Sequence, residues 1–365
     1  MNAGGKLKIG ILFGGKSAEH EVSIQSAVNI YNAVKKGPYE PHLIGIDKTG
    51  KWFYIEGGLE EFIKNQNDPS EIKIEYNGKR SALLPECGGV LNIECGGALK
   101  LDVIFPILHG PMGEDGVIQG ALKTAGVPFV GCGVLASAAS MDKDVCKRLL
   151  RDSGVPVARW VAVKNLKDLP FSAAAKELSL PLFIKPANMG SSVGVNKAYN
   201  QTEYEKALAE AFLYDSKILV EEAIEGREIE CAVLGNQNPI ASAAGEIIPS
   251  SGFYSYKAKY LDEKGAVLKI PAEISAEKHE EIKSLAVKTF NALCCEGLSR
   301  VDMFLKKDGS LVVNEINTMP GFTKISMYPK LWEAGGLSYE ALIEKLINLA
   351  IERFNKEQKL RTSFF

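Results

Sequence analysis

Arg300–Asn317 reads RVDMFLKKDGSLVVNEIN. Two arms of alternating polar and apolar residues flank Asp308-Gly309, a dipeptide suited to a tight hairpin turn. A two-residue turn there sets Asp302 directly across from Glu315 and Arg300 directly across from Asn317. Side chains alternate along a strand, so all four share one face, with Phe304 and Val313 on that face nearer the turn. Two carboxylates opposed at roughly 5 Å repel each other and weaken a strand pair. A hard divalent cation between them reverses that sign, and the Asn317 carbonyl adds a third oxygen ligand. The pattern points to a magnesium site on a rigid hairpin with a fixed cation beside it, an arrangement that suits the phosphates of ATP. A solvated strand face gives the same letters. The weight for a metal comes from Thr318–Ser326, TMPGFTKIS, and from a phosphate-type loop upstream.

The bulk composition fits this reading. With 365 residues the chain has length for two or three domains, and 46% hydrophobic with 24% charged residues is ordinary for a globular protein. A net charge of -2 offers no basic field for nucleic acid or an anionic membrane. No apolar run approaches the ~20 residues of a membrane span. The opening MNAGGKLKIGILFGG runs into a strand without a signal-peptide layout. Seven cysteines (87, 95, 132, 146, 231, 294 and 295), with no C-x-x-C pair, read as mostly buried thiols in a reducing compartment. The expected location is therefore cytoplasmic. Four histidines, at 20, 42, 109 and 279, argue against a histidine-rich metal centre.

Along the chain, strands alternate with helices up to about Ser137: Lys8–Phe13, a helix over 23–35, HLIGID, LDVIFPILHG, a helix over 117–125 and VPFVG. This predicts a small parallel sheet in an N-terminal α/β unit, residues 1–137. A helix with a capping Ser140 and a terminal Gly154 opens a compact α+β unit, 138–221, with strands RWVAV, LFIKPA, VGVNKA and KILVEEA. The remainder, 222–365, holds REIECAVLG, a glycine- and tyrosine-rich stretch at 252–260, a long helix over 276–293, the hairpin and a final helix over 339–354.

Gly10–Ser17, GILFGGKS, fits G-x-x-x-x-G-K-[ST], but a phosphate-wrapping loop there would consume the strand, so the match is set aside. Lys185–Val195, KPANMGSSVGV, joins two apolar strands. Gly190 and Gly194 allow positive φ, Ser191 and Ser192 add donors, and Lys185 adds charge, which together make an anion nest; a plain glycine-serine hairpin would look alike. Lys217–Gly235 reads as strand, connector, strand. The connector can offer main-chain groups to an adenine edge, Ile224 and Val220 can pack on its faces, and Glu228 can accept ribose hydroxyls. An acidic surface link is the other reading.

In this order and spacing, KPANMGSSVGV, VEEAIEGRE, RVDMF and NEINTMPGFT resemble the ATP-grasp carboxylate-amine ligases. With GGKSAEHEVS (14–23), LHGPMGEDGVIQG (108–120), SMDK (140–143) and YKAKY (256–260), the resemblance narrows to the D-alanine–D-alanine ligase family and covers nearly the whole chain. It implies a three-domain ATP-grasp fold, α/β and α+β, with the nucleotide between the central and C-terminal domains. It implies phosphate contacts from Lys143, Lys185, Ser191, Ser192 and Lys259. Glu221, Ala223 and Ile224 would meet the adenine and Glu228 the ribose. Asp302, Glu315 and Asn317 would carry two magnesium ions, with manganese as a substitute. Glu222 stands where family members often have lysine. Glu19 would fix the first D-alanine's ammonium, His109 would line that subsite, and Ser191 with Tyr260 would close it through Glu19. Arg300 and the Gly321 N–H would form an oxyanion hole, and Ser326 and Met327 a cradle for the second D-alanine's carboxylate. Residues 251–265 would act as a lid. The implied function is ligation of two D-alanines for peptidoglycan, in a homodimer associated through its N-terminal domain. A D-alanyl-D-lactate or D-alanyl-D-serine ligase and a non-catalytic ATP-binding module stand as alternatives; Tyr260 favours the dipeptide.

Overall fold

The computed structural model describes residues 5–64, 78–249, 266–361 and 363. The described strands form three sheets that follow one another along the chain. The first comprises β1 (Leu7–Gly14), β2 (Tyr39–Ile46), β3 (Trp52–Ile55), β4 (Gly78–Leu83), β5 (Val90–Ile93), β6 (Gly97–Lys100) and β7 (Val103–Ile107), in the order β6-β5-β4-β3-β2-β1-β7. Only β2-β1-β7 pairs in parallel. The expected small parallel sheet is thus the core of a larger mixed one, extended by antiparallel strands of four to six residues, too short to give a clear period-2 signal. VPFVG contributes a single parallel bridge, Ile104 to Phe129, and not a strand. Ile11, Leu12 and Phe13 are fully buried inside β1, so Gly10 sits in mid-strand and the P-loop match fails.

Helix α1 (His20–Lys36) packs Ile24, Ala27, Ile30, Tyr31 and Val34 against this sheet, the one-sided stripe of an amphipathic helix. After α2 (Gly58–Lys64) and α3 (Val117–Thr124) come α4 (Val134–Met141) and α5 (Lys143–Asp152). The cap of α5 is Asp142, whose carboxylate accepts from the N–H groups of Asp144 and Val145. Ser140, the expected cap, lies within α4: the chain breaks helical geometry at Asp142, two residues later.

The second sheet, β10-β9-β11-β8, is antiparallel and comprises β8 (Trp160–Val163), β9 (Leu182–Pro186), β10 (Asn196–Ala198) and β11 (Ile218–Glu222). α6 (Phe171–Leu178) and α7 (Gln201–Ala211) cover one face, burying Leu178, Ile184, Tyr204, Leu208 and Val220 in one core. Val220 therefore points away from the expected adenine site, because alternation sends Leu219 and Glu221 to the opposite face.

The third sheet, β14-β13-β12-β15-β16, comprises β12 (Gly226–Gly235), β13 (Ile240–Pro249), β14 (Ala266–Lys269), β15 (Gly297–Lys306) and β16 (Leu311–Asn317). α8 (Ala276–Ala292) packs on one face through Ile282, Ala286 and Phe290, over Ile229, Cys231, Val233, Val301 and Met303. α9 (Met327–Ala334) and α10 (Tyr339–Glu357) join a core that includes Ala232, Leu234 and Leu298 and is continuous with that of α1. The other end of that second face, from Glu228 to Asp302, is left for chemistry.

The β15–β16 hairpin shows how the site is set. Its loop has three residues and not two: Lys306 N–H donates to Ser310 O at 2.9 Å, and Gly309 turns with φ of 82°. Pairing then runs one residue out of the expected register, Phe304 with Val312 and Met303 with Val313. A shift between Asp302 and Met303 makes Asn314 the extra residue of a bulge and restores Asp302 opposite Glu315 and Arg300 opposite Asn317. Val313 consequently sits in the core and not on the site face.

Candidate active site

The floor of the site is the Glu228-to-Asp302 end of the third sheet's second face. Register stacks Glu230 on β12 beside Asp302 on β15 and Glu315 on β16. Arg300 lies among these acids. Its guanidinium makes two parallel bonds to Asp302, both 2.7 Å, and Nε lies 2.9 Å from Glu230 Oε2. Burial disfavours that charge, but Asp302 and Glu230 outweigh it and hold the arginine pKa well above its usual value. Asn317 Nδ2 donates to Asp302 Oδ2 at 3.0 Å, which fixes the amide without using its carbonyl oxygen. Among the described residues no three of His, Cys, Asp and Glu converge as a metal cluster. The donor set here is two carboxylates and an amide oxygen, all hard oxygens on adjacent strands, and it fits a magnesium-type ion.

The opposite wall comes from α5 and the second sheet. Lys143, the first residue of α5, donates from Nζ to Met189 O at 2.5 Å and from its main-chain N–H to Ala187 O at 3.0 Å. Burial holds its pKa below the ordinary lysine value, with Glu315 partly opposing. Lys185, on β9, places Nζ 2.8 Å from Glu221 Oε1 and 3.4 Å from the bulge residue Asn314. Glu221, the buried fourth residue of β11, also meets Lys147 Nζ at 2.9 Å. Burial would raise its pKa, but Lys147 and Lys185 prevail and bring it down to about 2. Its neighbour Glu222 points to the other face, where Arg159 holds it. Ala223 and Ile224 follow in the partly exposed connector to β12, where Glu228 shares a face with Phe304.

The Lys185–Val195 loop departs from expectation in one respect. Gly190 has no positive φ; Ser191 (φ 51°), Ser192 (φ 60°) and Gly194 (φ 69°) do. Gly190 serves close approach instead, since a Cβ there would lie 3.2 Å from Glu19 Oε2. Left-handed serines are costly, and such backbone strain is concentrated at functional loops.

Glu19, beyond the end of β1, is buried and accepts a bond from Ser191 Oγ. Nearby, His109 bonds through Nδ1 to Met319 O at 3.1 Å and sits 3.9 Å from Glu114. Burial acts to lower the His109 pKa, but Glu114 and Glu19 reverse this and raise it. Burial raises that of Glu114. Met319 begins the turn that carries Gly321, where a Cβ would meet Ser326 Oγ at 2.7 Å. Ser326 caps α9. The Met327 side chain is buried against Gly245, so what it offers a ligand is main chain. Lys259, Tyr260 and the 251–265 segment lie outside the described residues.

A single cleft is lined by Lys143, Met189 and Gly190 on one side and Glu315, Asn317 and Thr318 on the other. It brings Gly190 of the anion loop to Glu315 and Asn317 of the hairpin. Glu230, Lys147 and Asn314 went unread in the sequence. Period-2 spacing from Glu228 finds the first, and one helical turn from Lys143 finds the second; nothing local announces the bulge that presents the third.

The chain matches the D-ala D-ala ligase N-terminus family over residues 8–132 and the D-ala D-ala ligase C-terminus family over residues 149–348. It belongs to the D-alanine–D-alanine ligase family. A D-alanine–D-alanine ligase of Oceanobacillus iheyensis is 53% identical over 363 residues, covering 98% of this chain and 99% of that one. D-alanine–D-alanine ligase A of Escherichia coli K12 is 49% identical, with the same shares. Among solved structures, the D-alanine-D-alanine ligase of Coxiella burnetii has a TM-score of 0.87 at 38% identity, over 98% of this chain and 97% of that one. A D-Ala:D-Ser ligase of Enterococcus faecalis has a TM-score of 0.84 at 37% identity, over 94% and 99%. Family membership accounts for the ATP-grasp architecture and for ATP and divalent metal as requirements of the site.

Proposed function

We propose that this protein joins two D-alanines into D-alanyl-D-alanine for peptidoglycan synthesis, with ATP cleaved to ADP and phosphate. The observation that carries the reading is the convergence of Lys143 and the Gly190 loop with Glu315 and Asn317 on one cleft. A carboxylate is a poor electrophile, so the first D-alanine must be activated. Its carboxylate oxygen attacks the γ-phosphorus in line, the bond to the β-phosphate oxygen breaks, and an acyl phosphate and ADP result. Lys143 and Lys185 spread the charge that develops on the transferring group. Asp302, Glu315 and Asn317 would hold the divalent ions, two magnesium ions or manganese in their place, which supply charge neutralisation for the triphosphate. Glu19 pairs with the first ammonium, and Ser191 and Tyr260 keep Glu19 in place. The second D-alanine's neutral amine attacks the acyl carbon, the tetrahedral oxyanion rests on Arg300 and the Gly321 N–H, the C–O bond to phosphate breaks, and phosphate leaves with the proton that the amine nitrogen gives up. Ser326 and the Met327 main chain receive the second carboxylate. Residues 251–265, carrying Lys259 and Tyr260, exclude water from the acyl phosphate.

In the same reading the units are 1–137, 138–221 and 222–365, the protein acts as a homodimer, and it works in the cytoplasm. No helix among the described residues is long and apolar enough to cross a membrane. The test is phosphate release with ATP, magnesium and a panel of D-amino and D-hydroxy acids. Release that depends on D-alanine alone supports the dipeptide; a preference for D-lactate or D-serine as second substrate reassigns the product; release indifferent to all of them removes the ligase reading.

A further inference from the structure

Glu221 is shared between two ammonium groups, one per oxygen: Lys185 at 2.8 Å on Oε1 and Lys147 at 2.9 Å on Oε2. Lys147 is only 3% exposed. It sits on α5 one turn beyond Lys143, and its remaining neighbours are Ala158 O at 3.4 Å and the face of Trp160, with Nζ 5.6 Å from the ring centroid. Those contacts use up its directions. The Lys185 side chain, by contrast, is 15% exposed.

We infer that Lys147 is a positioning residue for the nucleotide. Two cations on one carboxylate leave a buried surplus of one positive charge, which is costly alone and relieved when an anion arrives. Remove Lys147, and Lys185 and Glu221 become a neutral pair; the lysine is drawn to the carboxylate and its pull on phosphate falls. Lys147 thus acts through Glu221 on Lys185. It also holds Glu221 at the end of β11, where the connector to β12 begins. A helix-to-sheet staple with no bearing on ligand is the competing account, and a buried ion pair by itself says little for stability.

This rests on reading Lys185 as a phosphate-contacting lysine, so Lys185→Met is the reference. The full chain is used, with ATP and D-alanine varied separately at saturating magnesium, ATP binding measured by calorimetry, and melting followed by circular dichroism. Lys147→Gln keeps a donor to Glu221 and removes the charge. It is expected to raise KM and Kd for ATP about tenfold while KM for D-alanine stays within twofold. Lys147→Arg, which keeps the charge, is expected to stay within threefold of the unaltered protein for ATP. Should Lys147→Gln fail to fold, Lys147→Met, of similar length and with no polar atom to satisfy, carries the same expectation. An unchanged ATP constant in a folded charge-removing variant overturns the inference, as does a parallel rise for ATP and D-alanine. If Lys185→Met loses ATP affinity and Lys147→Gln does not, only the role of Lys147 falls. If Lys185→Met binds ATP normally, the reading of the site falls with it.

Discussion

Ser191 Oγ donates to Glu19 Oε1 across 172 positions of sequence. Glu19 follows β1 of the first sheet and Ser191 lies in the loop after β9 of the second, so one bond ties the two sheets together beside the cleft. Gly110 and Gly190 make the approach possible, for a Cβ at either would lie 3.2 Å from Glu19 Oε2.

A bond to a carboxylate contributes about 1.5–3 kcal/mol, so Ser191→Ala is expected to lower kcat/KM for D-alanine by roughly tenfold or more. Tyr260→Phe should act in the same direction. Steady-state kinetics with D-alanine varied at saturating ATP check this; identical constants would remove both residues from the substrate end.

Asp302→Asn and Glu315→Gln keep side-chain shape but remove the charge that holds a divalent ion. Either is expected to abolish phosphate release at saturating magnesium while circular dichroism and the unfolding midpoint remain close to those of the parent. Arg300 retains Glu230 at 2.9 Å in both, so the fold is not left with an unpaired buried guanidinium. Near-normal turnover in either variant would contradict the metal assignment.

Glu221 gives a pH dependence with a definite sign. Its pKa falls from 4.5 to about 2 on folding. A carboxylate depressed in this way adds stability that is fully present above the unfolded value and is lost as pH drops through the folded one. The window is therefore pH 4.5 down to about 2, and the amount is on the order of 3 kcal/mol. Acid titration of urea midpoints should show this loss in the parent. Glu221→Gln should be less stable at neutral pH, because two lysines lose their counter-charge, and should lack that segment of the acid titration. An identical acid profile in the two proteins would count against the ion-pair account.

Lys16 is exposed and follows a strand whose Gly10 is locked in mid-sheet. Lys16→Ala is accordingly expected to keep ATP-dependent activity within about twofold. Loss of ATP binding in that variant would revive the P-loop reading.

The hairpin was legible because opposed acids on a strand pair need a reason to coexist, and because Asp308-Gly309 marks the turn. Its pairing at Asp302 and Glu315 came out as expected only because two departures cancel: a three-residue loop shifts the register and the bulge at Asn314 shifts it back. Neither leaves a trace in hydrophobic pattern. The long helices α1, α8 and α10 were readable from one-sided apolar spacing. Strands β3 to β6 were not, since each is short and partly exposed. Val220 was placed wrongly because the burial of β11 on both faces hides its alternation. Glu230 and Lys147 were missed for a different reason: each acts on another functional side chain, Arg300 or Glu221, and only tertiary pairing reveals that.

The central claim is that a triphosphate activates a D-alanine carboxylate by forming an acyl phosphate. It is tested most directly by running the reaction with D-alanine carrying oxygen-18 in both carboxylate positions and weighing the phosphate released. The account predicts one heavy oxygen in each phosphate, transferred from the carboxylate when the acyl carbon is attacked by the amine. Phosphate free of label, with D-alanyl-D-alanine still formed, would contradict it.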